Sequence, residues 1–365
     1  MNKLLSVIVL FLILVGCHLS SSKQLVKKGE NVKYATHFDV IKKGEFTYLK
    51  IIDPETHQTE IQYFLKKKGQ QDQKGFISIE VPIQSIAALS STHIGMLNKL
   101  ESLNVVKVIS DTNYLYNSLV KKECKAKRIK SIGGEGLESV EGLVRSGVNV
   151  VMYSGFGKPF SHQDKLEKLK INCIPNYDWR EIHPLGKAEW IKVFGYLLGK
   201  EKEANAYLSK IEAEYYELVE LAKTSVDKKT MFCGNLVGDN WFTPAGESFN
   251  AQLYRDADIA YVYANSKGTG SLSKSFEEIL IDNQHTSFWL NPGFVSFTSL
   301  ITNQPKMNYF EAVKNKQVYD YVHEMNFFWE NSAIEPQKVL SDLIKIFHPE
   351  MIKDTNLYFY QKLGN

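Results

Sequence analysis

Residues 184–222 read PLGKAEWIKVFGYLLGKEKEANAYLSKIEAEYYELVELA, and the spacing of their apolar positions organises the reading of the whole chain. Pro184 suits a first helical turn, where its missing N–H leaves no hydrogen bond unmade. Ile191, Phe194, Leu197 and Leu198 follow at helical spacing until Gly199 breaks the run. From Glu201 onward Ala204, Leu208, Ile211, Tyr215, Leu218 and Ala222 step by four and three, a regular apolar stripe. The stretch from Glu201 to Ala222 spans roughly 33 Å as a helix, about the width of a small domain. It is expected to pack on a core and to connect the region before it to the region after it.

Both of those regions alternate short apolar runs with helical periods. Before the long helix, SIAAL (85–89), NVVKVIS (104–110), RIKSIG (128–133), VNVVMY (148–153) and INCIP (171–175) read as buried strands, with helices over 94–101, 137–146 and 163–170. After it come TMFCG (230–234), IAYVY (259–263), TSFWL (286–290) and KQVYDY (316–321), with helices over 248–256, 274–282, 308–314 and 336–347. Strands alternating with helices imply sheets covered on both faces. The expected fold is α/β: two βα lobes with mainly parallel sheets joined by a long interlobe α-helix.

The 365 residues, 44% hydrophobic and 23% charged, have ordinary globular usage and exceed one small core. A net charge of +3 is too weak to argue for a nucleic-acid partner. The basic runs at Lys66–Lys68 and Lys121–Lys130 read as solvated turns. At the N-terminus an apolar run from Leu4 to Val15 ends in LVGC at residues 14–17. It is shorter than the roughly 20 residues a membrane span needs, so residues 1–16 read as a signal peptide. Apolar, small, then cysteine resembles the lipobox of bacterial lipoproteins. That resemblance makes Cys17 the lipidated first residue, residues 17–30 a tether, and the lipid the only membrane contact; a cleaved soluble export signal is the other reading. The location is then a periplasm-facing or cell-surface membrane. Cys124, Cys173 and Cys233 give neither a disulfide framework nor a CxxC metal signal.

Residues 31–80 alternate apolar and polar positions with turns at Lys43-Gly44 and Asp53-Pro54, which suggests a small antiparallel element over an edge of the first lobe. The boundaries that follow are an N-terminal lobe over 81–183, a helical crosspiece over 184–224, a C-terminal lobe over 225–350 and a tail over 351–365.

This layout resembles the substrate-binding proteins of ABC importers for ferric siderophores, haem and cobalamin. The likeness rests on the lipobox, IAALSSTHIGMLNKL (86–100), SIGGEGLESVEGLVRSGVNVVMYS (131–154) and NYDWREIHPLGKAEWIKVFGYLLGKEKEA (176–204). In the second lobe it rests on GDNWFTPAGESFNAQLYRDADI (238–259), SLSKSFEEILIDN (271–283) and VYDYVHEMNFFWENSAIEPQKVLSDLIKIFHPE (318–350). The order of these stretches is more specific than any one of them. The resemblance implies a monomeric, non-enzymatic protein with no resident cofactor. A ferric chelate, corrinoid or haem would be held between the lobes and handed to the permease and ATPase complex. It also implies that Glu138 and Glu277, each opening a helix on a different lobe, dock on the permease, with Glu141 and Glu278 the adjacent possibilities; complementing the helix dipole is their other reading.

Cleft residues are expected in loops at strand ends, where open α/β sheets bind ligands. The candidates in the first lobe are Ser91 and His93 in SSTH, Glu135 in GGEG, Tyr153 and Phe156 in YSGFG, and Tyr177 and Trp179. In the second lobe they are Asn235, Trp241 and Phe242, and Ser271 closing NSKGTGS, with the helix start at 246–248 suited to an anion. Ser91 and His93 serve equally as helix-capping residues, and the aromatics equally as core. The nine histidines lack metal-site spacing. YSGFG has Met152 where a nucleophile elbow needs glycine, which leaves a hydrolase built on Ser154 a poor alternative. Asp178, Glu181 and Glu189 crowd one stretch, but no partner motif supports acid-base chemistry there.

Overall fold

The computed structural model describes residues 31–132, 140–322 and 324–364. The chain opens with a four-stranded sheet: β1 (Phe38–Lys43), β2 (Phe46–Ile52) and β3 (Thr59–Lys67) run antiparallel, and β4 (Ile77–Val81) joins β3 in parallel. The first lobe follows with β5 (Ile86–Ala88), α1 (Ser91–Lys99), β6 (Val106–Ile109), α2 (Ser118–Lys125), β7 (Lys130–Ser131), α3 (Val140–Arg145), β8 (Val150–Ser154), α4 (Gln163–Lys168) and β9 (Asn172–Asn176). Its sheet is parallel throughout, in the order β7-β6-β5-β8-β9.

Alternation along these strands fills two cores. Ile86, Ala88, Val150, Met152 and Ile174 face one of them, while Ala87, Val108, Val151, Tyr153 and Cys173 face the other. The N-terminal sheet lies over the β9 edge, as its sequence suggests: the Tyr63 hydroxyl donates to the Cys173 carbonyl, and the Asn172 amide to the Ser78 carbonyl at 3.4 Å.

The crosspiece is α5 (Pro184–Glu189), α6 (Ile191–Leu198) and α7 (Glu201–Ala222). Pro184 does occupy the first turn, and Gly199, left-handed at φ 68°, ends α6. The buried stripe of α7 is Ala204, Leu208, Ile211, Tyr215, Val219 and Ala222; Val219 takes the place expected for Leu218, which is half-buried at the border.

The second lobe comprises β10 (Thr230–Cys233), β11 (Asn235–Val237), β12 (Asn240–Pro244), α8 (Phe249–Asp256), β13 (Ala260–Tyr261), β14 (Ser271–Lys274), α9 (Phe276–Asn283), β15 (Phe288–Leu290), α10 (Phe297–Asn303), α11 (Glu311–Lys314), β16 (Val318–Tyr321), α12 (Met325–Asn331), α13 (Pro336–Phe347) and β17 (Tyr360–Lys362). The main sheet runs β13-β10-β15-β16-β17, parallel except for β17. That edge strand comes from the segment expected as a tail. The segment from 235 to 244 forms β11 and β12, which pair with each other and, through β12, with β14 in a small antiparallel sheet. The basic run at 121–130 is helical as far as Lys125, because the Asn117 side chain caps Val120 and Val120 is buried.

One hydrophobic core runs from the first lobe through α5–α7 into the second. The lobes also touch directly where α1 crosses α12. A Cβ at Gly95 would lie 2.0 Å from the Glu330 carbonyl oxygen, so only glycine permits this approach. Asn326 donates to the Asn113 carbonyl at 2.8 Å, Tyr116 lies on Phe327 with ring centroids 4.8 Å apart, and Lys99 pairs with Glu335 at 3.0 Å.

Candidate ligand-binding cleft

The loop after β9, at the carboxyl end of the first lobe's parallel sheet, faces the end of β12 and the start of α8 in the second lobe. A cavity of about 420 Å³ opens there, lined by Trp179 and Arg180 from the loop after β9 and by Pro244, Ser248, Phe249, Asn250, Thr269, Gly270 and Ser271 from the second lobe. A second, of about 660 Å³, lies between Lys33, Tyr34, Thr36, Ile182 and His183 and the stretch from Gly246 to Lys267, including Gln252 and Arg255.

Trp179 is held on three sides and 38% exposed on the fourth. Its indole N–H donates to the Gly155 carbonyl at 3.1 Å, its ring lies 5.1 Å from that of Phe156, and the Arg180 guanidinium sits 5.2 Å from its centroid. Phe156 is itself 72% exposed. The two aromatics therefore form an open apolar wall at the ends of β8 and β9, with a cation beside it. Across the gap Phe249 and Asn250 open α8, whose N-cap Ser248 accepts from the Ala251 N–H at 3.2 Å.

The carboxylates of 178–189 face inward. Glu181 accepts from the Thr36 and His37 N–H groups, the Thr36 hydroxyl and the Trp190 indole at 2.8–3.1 Å. Burial nevertheless pushes its carboxyl up to about 7. Glu189 accepts from the N–H groups of Lys33, Tyr34 and Ala35 and from the Lys192 ammonium at 2.7 Å. Burial also raises Asp178, with the Lys187 charge opposing it, and lowers Lys187, whose ammonium lies 3.7 Å from the Phe249 ring centroid. Glu181 and Glu189 thus clamp the N-terminal segment onto the crosspiece, while Asp178 and Lys187 interact through their charges beside α5.

Of the residues expected in the cleft, Trp179 and Ser271 line the cavity and Phe156 adjoins it. Ser91 is half-buried in the first turn of α1. Phe242 is exposed on β12, and Asn235 is half-buried beside Gly293. Four candidates belong to cores. His93 is fully buried 5.7 Å from Phe194, with neither ring nitrogen hydrogen-bonded. Tyr153 packs on Phe160 in the second core of its sheet. Trp241 packs among Phe232, Trp289 and Phe310, and donates to the Cys233 carbonyl. Tyr177 is buried, its hydroxyl reaching Glu60. Cys17, Glu135 and Glu138 lie outside the described residues.

Sequence reading missed Arg180 and Phe249. Both adjoin stretches it did single out, Trp179 and the helix start at 246–248. Among the described residues no group of three or more His, Cys, Asp or Glu side chains is placed to hold a metal, and no helix is long and apolar enough to cross a membrane.

Two lobes with mainly parallel sheets, a helical crosspiece and a cavity lined from both lobes are the layout of a two-lobe binding protein. The chain belongs to the periplasmic binding protein family, whose model matches residues 86–324. It is similar to an uncharacterized lipoprotein of Methanocaldococcus jannaschii, 24% identical over 298 residues, 79% of this chain and 70% of that one. A possible iron-binding (periplasmic solute-binding) protein from Staphylococcus epidermidis shares the fold with a TM-score of 0.58 at 16% identity, covering 73% of this chain and 99% of that one. A periplasmic haem-binding protein of Vibrio cholerae does so with a TM-score of 0.57 at 13% identity, covering 71% and 98%.

Proposed function

We propose that the protein is the substrate-binding lipoprotein of an ABC importer, taking a ferric siderophore-type chelate into the interlobe cleft and delivering it to the permease and ATPase complex. The observation that carries this reading is the cavity walled by Trp179 and Arg180 on one lobe and by Phe249, Asn250 and Ser271 on the other. Aromatic faces stack on catecholate rings, while guanidinium, amide and hydroxyl donors meet the chelating oxygens. Arg180 is the charged residue of that lining, and its guanidinium is paired with Glu55 at 2.6 Å, which holds it beside the Trp179 ring. The fold shared with a haem-binding and a possible iron-binding protein supports the same ligand class. Haem or a corrinoid is the alternative occupant, with a macrocycle face that could stack on Trp179.

In this reading Cys17 carries the lipid anchor, and Glu138 and Glu277 dock on the permease from the two lobes. Glu277 opens α9 exposed to solvent, whereas Glu278 beside it is engaged in a capping box with Ser275. The test mixes purified mature protein in turn with a ferric catecholate siderophore, haem and cobalamin, followed by native mass spectrometry and thermal shift. One of the three adds its mass and raises the melting temperature. Indifference to all three overturns the proposal.

A further inference from the structure

The N-terminal sheet and the segment leading into it precede the family match, which begins at residue 86. They nevertheless grip the loop that carries Trp179. The five consecutive N–H groups from Lys33 to His37 all end on two buried carboxylates, Glu189 and Glu181, which flank His183 and the start of α5. From β3, Glu60 accepts the Tyr177 hydroxyl at 2.7 Å, and from the β2–β3 connection Glu55 pairs with Arg180 at 2.6 Å.

Tyr177 carries this grip to the cleft. Its ring fills the space beside Gly155, where a Cβ would lie 2.3 Å from the ring, and the Gly155 carbonyl in turn accepts the Trp179 indole N–H. We infer that the N-terminal sheet positions the Trp179 wall of the cleft, with Glu60 acting through Tyr177 as the positioning residue. The Arg180–Glu55 pair is solvent-exposed on its Glu55 side and adds little by itself. The Glu60 carboxylate is exposed as well, but its partner Tyr177 is buried, and this charged-acceptor bond is the stronger hold. The effect of this brace on affinity rests on the ligand reading of the cleft; the positioning itself does not.

Trp190, Trp241 and Trp289 are fully buried, and Trp329 shares partial exposure with Trp179. In a Trp329→Phe background, acrylamide quenching therefore reports Trp179. Glu60→Ala and Tyr177→Phe each raise that quenching, because losing one such bond shifts the held population about fivefold. Glu60→Gln, whose amide oxygen still accepts the Tyr177 proton, restores the wild-type value. Quenching unchanged in both Glu60→Ala and Tyr177→Phe overturns the inference, whether or not the melting temperature falls, since a purely structural role moves only the latter. With haemin as probe and Trp329 intact, Glu60→Ala weakens binding about fivefold and Glu60→Gln restores it. An unaltered haemin affinity in Glu60→Ala, alongside altered quenching, limits the brace to Trp179 and overturns its role in affinity. Wild-type protein that ignores haemin speaks against the haem form of the ligand reading, and quenching then decides the positioning alone.

Discussion

The Glu330 carboxylate, on the second lobe, accepts the main-chain N–H of Tyr116, on the first, at 2.8 Å. The Asn117 N–H adds a second bond at 3.0 Å, and the carboxylate is almost wholly buried between the lobes. Truncating it leaves two buried donors without an acceptor. Glu330→Ala is expected to lower stability by about 2–3 kcal/mol in urea denaturation. It should also speed hydrogen exchange at Tyr116 and Asn117 relative to amides of the sheet centres. Unchanged exchange at those two amides would mean that the bond does not hold the seam.

Gly95 tests the same seam by volume rather than by charge. A methyl group there has the Glu330 main chain 2.0 Å away and the Ile334 side chain at 3.7 Å, and a helix backbone does not yield as a side chain does. Gly95→Ala is expected to cost about 1–3 kcal/mol, visible as a lower urea midpoint, in spite of alanine's better helix propensity. A neutral or stabilised variant would show that the lobes separate easily at this point.

How far the sequence exposes these features depends on how local their causes are. Strands β5, β8 and β9 are buried on both faces and read as apolar runs, and α13 begins at a proline that suits a first turn. Trp179 and Trp241 look alike in sequence, each an aromatic in a turn-rich stretch near a strand end. What separates them is pairing: β12 is registered against β11 and β14 so that Trp241 turns into the core and Phe242 turns out. Ser91 and His93 are two apart on a helix and so cannot share a face. The acceptors at Glu181 and Glu189 serve amides of residues 33–37, far away along the chain, and no local pattern records such a partner.

His93 gives the acid side of the stability profile. Burial holds its imidazole neutral down to about 3, against 6.5 in the unfolded chain, and no hydrogen bond opposes that. Between those values the unfolded chain binds more protons. The stability contribution is therefore complete above 6.5 and is lost as pH falls towards 3, with a slope approaching about 1.4 kcal/mol per unit. His37, held down to about 4 by burial, acts in the same direction over a narrower window. Urea denaturation at stepped pH is expected to show a shallower acid loss for His93→Leu than for wild type. Parallel profiles would show that another group carries the acid transition.

The proposed permease docking can be separated from ligand binding at Glu277. Its side chain is exposed in the first turn of α9, and its neighbour Glu278 supplies the cap, so charge reversal leaves the helix start intact. Glu277→Arg is expected to abolish uptake in cells while the purified protein keeps its ligand affinity and melting temperature. Uptake at the wild-type rate would remove Glu277 from the docking surface.

Trp179 and Trp241 give a last contrast between a wall and a core. Trp179 is partly exposed at the cavity, so its removal leaves no closed void; Trp241 is sealed among Phe232, Trp289 and Phe310. Trp179→Ala is therefore expected to lower the melting temperature by only a few degrees yet to bind the proposed chelate about tenfold more weakly, the loss of one stacking face. Trp241→Ala is expected to cost about 3–5 kcal/mol through the void it leaves. Its weaker binding then tracks the unfolded fraction and returns on cooling, or with any ligand concentration that refolds the chain. Calorimetric titration beside thermal melts distinguishes the two losses. Full affinity in Trp179→Ala would move the binding surface away from this wall.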